Sequence, residues 1–395
     1  MRTVGVEEEL LVVDGSGVPV PLGPHALEVA ARRGEGEDVG QHDRADRGEA
    51  APDATTIAHL VPELMTQQIE LGTSVCRSLD EVDGELRYWR GRAAAAAAAT
   101  GARVAALATS PLAVQPQLTP GERYRRLVER FGAVAGDQLT CGCHVHVSVE
   151  DDDEGVAVLD RIRTWLPVLT ALSSNSPFWQ GEDTGYASWR SQAWNRWPSA
   201  GPTGPFGDAA GYHRLVEEVL GTDTVLDDGQ VYFDARLSST WPTVEVRVAD
   251  VLLRVEDAVT LAGLVRGLVE TAAREARDGV DPLPVRAEVL RLAAWRAGRS
   301  GLSGELVHPR TSRPAKAADV VGDLLEHVRP ALAEAGDEQR VADGVATMLD
   351  RGTGADLQRR VHADTGDLTA VVRAAVAVTS GQDADTARAA VLSTG

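Results

Sequence analysis

Three short apolar segments each carry ionisable side chains two residues apart, a spacing that fits a β-strand with one polar face. The pairs are Glu7 and Glu9 in GVEEEL, His144 and His146 in HVHV, and Glu245 and Arg247 in VEVRV. Side chains alternate between the two faces of a strand, so each pair projects from one face. Burying carboxylates on an apolar sheet is costly unless cations or hydrogen bonds compensate them. We therefore predict a sheet whose polar face holds metal ions or a charged substrate.

The strand CGCHVHVSVE separates polar from apolar residues by position. His144, His146 and Ser148 fall on one face, whereas Cys141 and Cys143 fall on the valine side. A zinc site made of both histidines and both cysteines would need a break in the strand. We expect the cysteines to pack as small apolar residues. Ligand sets rich in oxygen with an occasional imidazole favour Mg²⁺ or Mn²⁺ over zinc.

The balance of charged residues restricts the partners. The chain has 39 basic and 59 acidic residues, a net charge of −20, and this field repels phosphate backbones, so we expect no nucleic-acid partner. Lys316 is the only lysine, and no glycine-rich loop precedes it. A Walker loop, a protein-kinase strand lysine and Schiff-base chemistry each need a lysine at a defined place. If the chain uses ATP, it does so with metals and arginines.

The sequence favours a cytoplasmic location. The first residues, MRTVGVEEEL, bring acidic side chains where a secretory signal needs a basic start and an apolar run. The alanine tract at 93–99 is too short to span a bilayer, so no membrane segment is expected. Cys76, Cys141 and Cys143 are an odd, sparse set that suits a reducing compartment. Formation of a homo-oligomer stays open.

The order of predicted strands and helices indicates an α+β fold. Strands are predicted at 3–13, 66–71, 103–109, 141–149, 230–238 and 243–249, the last two as an antiparallel pair. Helices are predicted at 23–33, 80–100 and 155–172, with a short helix opening near 119–122 and almost continuous helix after 254. Segregated strands and helices favour this class over a doubly wound sheet.

Two domain-scale regions and two long loops follow from this pattern. Residues 1–300 are predicted to form the catalytic α+β domain, and residues 301–395 a helical C-terminal part packed on it. The acidic, glycine-rich stretch 34–53 has no periodicity and is predicted to be a flexible loop. Residues 173–206 hold half of the tryptophans and are interpreted as an active-site loop that covers substrate; the alternative is a loop that only fills a surface groove.

Six motifs in order resemble a known family. They are GVEEELLVVD at 5–14, IELGTSVC at 69–76, ERYRRLVERFG at 122–132, CHVHVSV at 143–149, SPFWQGEDTGYASWR at 176–190 and TVEVRVAD at 243–250. Over roughly the first 300 residues the chain resembles the carboxylate-amine ligases, also called type 2 glutamate–cysteine ligases. The resemblance implies a glutamine synthetase-like catalytic fold, in which a largely antiparallel sheet forms a funnel backed by helices.

The resemblance also implies a chemistry and a set of residues. ATP, with Mg²⁺, phosphorylates a substrate carboxylate, and an amine attacks the acyl phosphate to give an amide, ADP and phosphate. Glutamate joined to cysteine is the activity usually assigned to the family, although other small carboxylates and amines suit the same chemistry. The family positions expected to surround the metal ions are Glu7, Glu9, Glu70, His146 and Glu245, with Glu63 as a further metal or substrate residue.

Residue chemistry assigns roles to the other candidates. Glu245 and Arg247 are the predicted catalytic pair, with Arg247 contacting the γ-phosphate or the acyl phosphate; a purely structural Glu245–Arg247 ion pair is the alternative. His144 is expected to orient a metal ligand or to bind metal itself. The candidates for clamping a substrate carboxylate are Arg190, Arg196 and Arg236.

Two other functional classes fit the same residues. A metal-dependent hydrolase of amides can use such carboxylates and histidines to activate water, and it needs no nucleotide. A protein that binds metal or nucleotide without turnover is the second alternative. Release of ADP that depends on a carboxylate and an amine separates the ligase from both.

Overall fold

The computed structural model describes residues 1–46 and 59–392, and its centre is a seven-stranded sheet. Strand order is β2-β3-β1-β5-β9-β8, with β4 also paired to β1, and every pair in the sheet is antiparallel. Two short hairpins, β6–β7 and β10–β11, lie outside it. The strands are β1 (Val4–Val13), β2 (Leu60–Val61), β3 (Gln68–Gly72), β4 (Arg103–Ala105), β5 (Gly142–Ser148), β6 (Phe178–Trp179), β7 (Glu182–Asp183), β8 (Ala235–Leu237), β9 (Thr243–Asp250), β10 (Glu305–Val307) and β11 (Pro314–Lys316).

Helices surround the sheet. They are α1 (Gly23–Arg32), α2 (Val39–Asp46), α3 (Leu79–Ala98), α4 (Glu122–Phe131), α5 (Ala133–Gly136), α6 (Asp152–Ile162), α7 (Leu166–Ser173), α8 (Arg190–Trp194), α9 (Ala209–Gly221), α10 (Val255–Arg277), α11 (Ala287–Ser300), α12 (Ala317–Ala335), α13 (Glu338–Arg351), α14 (Gly354–Thr365), α15 (Leu368–Thr379) and α16 (Ala384–Leu392). None of the helices within 1–46 and 59–392 combines the length and apolar character needed to cross a membrane.

Helix α10 is the central helix of the core. Its buried residues lie on all sides, including Val259, Leu264 and Leu268, and an apolar helix of this kind must be enclosed by other elements. It contacts β1 and β5 of the sheet and, on its other sides, α3, α6, α12 and α13. The C-terminal helices therefore share one apolar core with the sheet.

A buried ion pair fixes helix α3 to the back of strand β1. Glu8 points to the face opposite Glu7 and Glu9, as strand alternation predicts, and its carboxylate accepts two 2.7 Å hydrogen bonds from the Arg90 guanidinium. Both side chains are almost fully buried. Arg90 also donates to the carbonyls of Leu252 and Leu253. One guanidinium thus joins β1, α3 and the segment after β9.

The predicted α+β class is confirmed, and three predicted elements are corrected. The helix expected at 155–172 is two helices, because Pro167 in the first turn of α7 has no N–H to continue a preceding helix. The acidic stretch 34–53 contains helix α2, so it is not wholly a loop; its residues 47–53 lie outside the described residues. The hairpin β10–β11 interrupts the predicted C-terminal helices.

The segment 173–206, here called the tryptophan segment, is fixed to the end of β9. The buried Asp250 carboxylate accepts hydrogen bonds from the Asn175 N–H and from the hydroxyls of Ser176 and Ser188 at 2.7–2.8 Å. Gln358 of α14 donates to Asn175 at 2.7 Å and 2.9 Å. These contacts hold α8, which follows Ser188, against the sheet.

The Glu8–Arg90 pair yields the first prediction. Replacing Glu8 by Gln leaves a buried guanidinium without its counter-charge, so the free energy of unfolding should fall by about 3–5 kcal/mol in urea titrations. The double variant Glu8→Gln, Arg90→Met should recover part of this loss. Arg87→Gln is the control, because Arg87 and Glu256 form an exposed pair whose loss costs under about 1 kcal/mol. Equal effects of Glu8→Gln and Arg87→Gln would contradict the assignment.

Candidate active site

Strand register places the predicted charged residues on one face of the sheet. Across β3, β1, β5, β9 and β8, neighbouring strands pair these residues directly opposite one another. Directly paired residues share a face of an antiparallel sheet. The pairs are Glu70 with Glu9, Glu7 with His144, His146 with Glu245, and Glu245 with Arg236. We call this surface the polar floor.

Two arginines compensate the Glu245 carboxylate of the floor. It accepts a hydrogen bond of 2.8 Å from Arg236 Nε and forms a second ion pair with Arg247. Burial alone would raise its pKa, but Arg247, Arg236 and the neighbouring histidines hold the pKa of Glu245 at about 2. Glu245 is therefore ionised at neutral pH and keeps both arginines on the floor.

Glu7, His146 and Glu245 can together hold a metal ion. Each offers one ligand atom, and these atoms lie within 4.8 Å of one another. His146 Nδ1 lies 3.0 Å from Thr243 Oγ1, so the other ring nitrogen, Nε2, faces the two carboxylates at 3.4 and 4.0 Å. This buried Nε2 has no hydrogen-bond partner. A ring nitrogen oriented in this way, between two carboxylate oxygens, fits a divalent cation.

His144 and Glu9 support this group from the adjoining positions. His144 Nδ1 lies 3.4 Å from Glu7 Oε2, and its Nε2 lies 3.9 Å from Glu9 Oε1. Burial lowers the pKa of His144, and the Arg247 charge lowers it further, so the ring is neutral. Glu9 also accepts a 2.8 Å hydrogen bond from the Gly142 N–H. These contacts fix the orientation of Glu7 and connect β1 to β5.

Carboxylates outnumber cations at the β3 side of the floor. Burial raises the pKa of Glu70 well above its usual value, and the charges of Glu7, Glu63 and Glu9 raise it further. Burial and the Glu9 charge raise the pKa of Glu63 to about 7. A bound divalent cation would relieve this repulsion. Glu9, Glu63 and Glu70 lie outside the three-residue cluster.

Arg190 is held beside the floor, close to strand β5. Its side chain is buried, and its Cζ lies 5.3 Å from the centre of the Trp194 ring. Gly142 makes this position available: a Cβ there would lie 2.3 Å from Arg190 Nη2. Arg190 Nε is buried without a hydrogen-bond partner. With Trp194, Asp234 and Arg247, Arg190 lines a small cavity between α8 and β9.

Not every predicted residue reaches the floor. Arg196 is exposed and lies over the Trp179 ring at 6.0 Å, and none of its contacts in the described part of the chain involves a floor carboxylate. Cys141 and Cys143 are buried free thiols, and burial raises the pKa of each well above the usual value. Cys143 pairs with Glu8 on the opposite face and takes the apolar role expected from strand alternation. Cys141 precedes β5, and its sulfur accepts a 3.6 Å hydrogen bond from Gln68 Nε2.

The sequence analysis did not identify two residues of the site. Thr243 orients His146, and Gly142 gives space to Arg190. Both share the alternation of the residues already identified, since Thr243 precedes Glu245 by two positions and Gly142 precedes His144 by two. Continuing the same two-residue alternation to the ends of β5 and β9 would have identified both residues.

Comparisons with known proteins agree with this geometry. The model of glutamate-cysteine ligase family 2 (GCS2) matches residues 3–374. A Streptomyces coelicolor protein named "Putative glutamate--cysteine ligase 2" is 51% identical over 376 residues, 95% of this chain and 98% of that protein. "Putative glutamate--cysteine ligase 2-1" of Paenarthrobacter aurescens is 49% identical over 380 residues, 96% of this chain and 95% of that protein.

A solved structure has the same fold. The crystal structure of glutamate–cysteine ligase from Francisella tularensis in complex with AMP matches with a TM-score of 0.66 at 13% identity, covering 99% of this chain and 92% of that chain. Fold and relatives together define a carbon–nitrogen ligase. The chain belongs to glutamate-cysteine ligase family 2.

The three-residue cluster predicts metal binding that can be measured directly. Mn²⁺, followed by electron paramagnetic resonance, should bind the wild-type protein, and Glu7→Gln or His146→Gln should weaken binding about tenfold or more. Binding should weaken at acid pH as His146 becomes protonated, because a protonated imidazole cannot donate to a metal. Glu150→Gln is the control, since Glu150 is exposed beyond the end of β5. Unchanged Mn²⁺ affinity in both floor variants would disprove the cluster as a metal site.

Proposed function

We propose that the protein is an ATP- and Mg²⁺-dependent ligase that joins the γ-carboxylate of glutamate to the amino group of cysteine. The observation that carries this proposal is the polar floor, where the Glu7, His146 and Glu245 cluster adjoins the guanidinium of Arg247. The names of the relatives support glutamate and cysteine as substrates. The AMP in the related crystal structure supports a nucleotide.

The proposed reaction has two displacements. An oxygen of the glutamate carboxylate attacks the γ-phosphorus of ATP, and the bond to the β-phosphate oxygen breaks to release ADP. The cysteine nitrogen then attacks the carbonyl carbon of the acyl phosphate, loses a proton, and expels phosphate. Both steps concentrate negative charge on phosphate oxygens, so the protein must supply fixed cations around them.

Arginines and a metal ion supply those cations in this chain. Glu7, His146 and Glu245 would hold Mg²⁺, which when bound neutralises triphosphate charge. Arg247, oriented by Glu245, has a buried Nε without a hydrogen-bond partner and can donate to a phosphoryl oxygen. Its Cζ lies 5.9 Å from the rings of Trp194 and Tyr232, which restrict its movement. Arg236 anchors Glu245 and in this way keeps the set in place.

Arg190 is the proposed clamp for the substrate carboxylate. Its guanidinium is buried, it makes no ion pair within the described residues, and it lines the same small cavity as Arg247. A carboxylate can accept two parallel hydrogen bonds from such a group. This arrangement would place the reacting end of glutamate between Arg190 and the phosphoryl group near Arg247.

The ligase reaction predicts nucleotide turnover that depends on two substrates. Purified protein with Mg²⁺ and ATP should release one ADP per amide formed when glutamate and cysteine are both present, and mass spectrometry should detect γ-glutamylcysteine. Glu70→Gln and Glu245→Gln should lower kcat at least about 100-fold, because the first removes a carboxylate that a bound cation would ionise and the second removes the charge that holds Arg236 and Arg247. Glu150→Gln should retain wild-type rates, and urea unfolding should show that all variants fold.

The same assay separates the alternative functions. A metal-dependent amide hydrolase would act without ATP, and a binding protein would take up ATP without releasing ADP under any pair of substrates. ADP release with other amines but not with cysteine would keep the ligase class and change the substrate. Wild-type rates in Glu245→Gln would show that the polar floor takes no part in the reaction.

The close approach of Gly142 and Arg190 gives a separate prediction. Gly142→Ala should displace the Arg190 guanidinium, because the new Cβ would lie 2.3 Å from Nη2. The displaced atoms are the end of a flexible side chain, so the protein should still fold. We expect a higher KM for glutamate, with a smaller change in the KM for ATP, in steady-state kinetics. Gly136→Ala is the control, since no atom lies within 4 Å of a Cβ there; an equal effect in both variants would contradict the role of Arg190.

A further inference from the structure

A large cavity lies behind the sheet, on the side away from the polar floor. It has a volume of about 780 Å³ and lies between α3, the start of α10, α13 and the turn from α15 to α16. Arg90 lines it, and Arg90 pairs with Glu8, whose side chain points away from Glu7 and Glu9. We call this space the rear cavity. Its volume is typical of sites for small molecules.

Most charges of the rear cavity compensate one another. Arg90 is paired with Glu8, Arg87 with Glu256, and Arg351 donates two hydrogen bonds of 2.5 and 2.7 Å to Asp257. These groups have their counter-charges within the protein. They require no ligand.

Arg254 is a buried arginine of the cavity whose terminal nitrogens make no hydrogen bonds. It is 7% exposed, and neither of its terminal nitrogens makes a hydrogen bond. The nearest carboxylate in the described residues is Asp257, at 3.8 Å, and Asp257 already accepts from Arg351. A buried guanidinium without hydrogen bonds is destabilising unless an anion compensates it. Asp383, in the turn from α15 to α16, also lines the cavity and interacts electrostatically with Arg254, but no described group accepts a hydrogen bond from the terminal nitrogens of Arg254. These nitrogens can therefore donate to a bound anion.

Two neighbouring features add to the positive potential at Arg254. Arg360 lines the same cavity, donates to the Arg351 carbonyl, and forms no ion pair within residues 1–46 and 59–392. Burial lowers the pKa of Arg254, and the charges of Arg351 and Arg360 lower it further, so the three guanidinium groups are close enough to repel. Arg254 also immediately precedes helix α10, and the amino terminus of a helix favours anions.

We propose that the rear cavity is a binding site for a small oxyanion metabolite, held by Arg254 and Arg360 through a phosphate or carboxylate group. A planar guanidinium presents two donors to either group in the same geometry. The remainder of the cavity accommodates the rest of the molecule, with the hydroxyls of Thr260, Thr347 and Ser380 among its lining groups. This site is independent of the proposed ligase chemistry.

Thermal unfolding tests the proposal with inorganic phosphate and succinate as separate probes. Either anion at millimolar concentration should raise the wild-type Tm above that in sodium chloride of equal ionic strength. Arg254→Met should abolish the rise, and its Tm without anion should equal or exceed that of wild type, because it removes a buried guanidinium whose terminal nitrogens make no hydrogen bonds. Calorimetry should show Arg360→Gln weakening anion binding about tenfold, the effect of losing one charge-assisted hydrogen bond.

Two controls locate the effect. Arg87→Gln removes a paired arginine from the rear cavity wall, and Arg236→Gln removes an arginine from the polar floor; both should keep the anion response. A response to phosphate alone indicates a phosphate-bearing ligand, and a response to succinate alone a carboxylate. The proposal is overturned if neither anion raises the wild-type Tm, if the response persists in Arg254→Met, or if it disappears only in Arg236→Gln. A Tm of Arg254→Met far below wild type would make Arg254 a structural residue.

Discussion

The structure depends on the compensation of three consecutive glutamates in its central strand. Strand β1 is paired to β3, β4 and β5, and most of its residues are buried, including Glu8 and Glu9, whereas Glu7 is half-buried. Glu8 is neutralised by Arg90 behind the sheet, Glu7 lies 3.4 Å from a ring nitrogen of each histidine of β5, and Glu9 is hydrogen-bonded by the Gly142 N–H. Glu8 thus uses α3, whereas Glu7 and Glu9 both use β5. The sheet therefore cannot form without bringing α3 and β5 to defined positions.

This compensation also explains why the polar floor has an unequal distribution of charge. At the β8 and β9 side, arginines hold the pKa of Glu245 at about 2 against the effect of burial. At the β3 side, burial and neighbouring carboxylates raise the pKa of Glu63 to about 7. The floor thus has a surplus of carboxylate at one side and fixed cations at the other. The Glu7, His146 and Glu245 cluster lies between these two sides, on β1, β5 and β9.

Strand alternation accounts for the part of the site that the sequence predicts. Parity alone places Glu7 and Glu9 together, assigns Glu8 to the other face and separates Cys143 from His144. It cannot show which strands are neighbours, so Glu70 entered the predicted site only through the family resemblance, and the structure shows that it lies opposite Glu9. It also cannot predict Arg90, because that contact joins residues 82 positions apart through helix packing. Strand alternation cannot predict the rear cavity for the same reason, because its walls come from helices distant in sequence.

The segment after β9 connects the two faces of the sheet. Asp250, the last residue of β9, accepts hydrogen bonds from Ser176 and Ser188 of the tryptophan segment, which carries Arg190 to the edge of the floor. Arg90 holds the carbonyls of the next residues, and Arg254 ends the segment in the rear cavity. The five residues 250–254 thus contact structural elements on both faces of the sheet. Because Asp250 is buried among fixed hydroxyl donors, the position of Arg190 is determined by the folded core itself, which would give the proposed substrate carboxylate a guanidinium already in place.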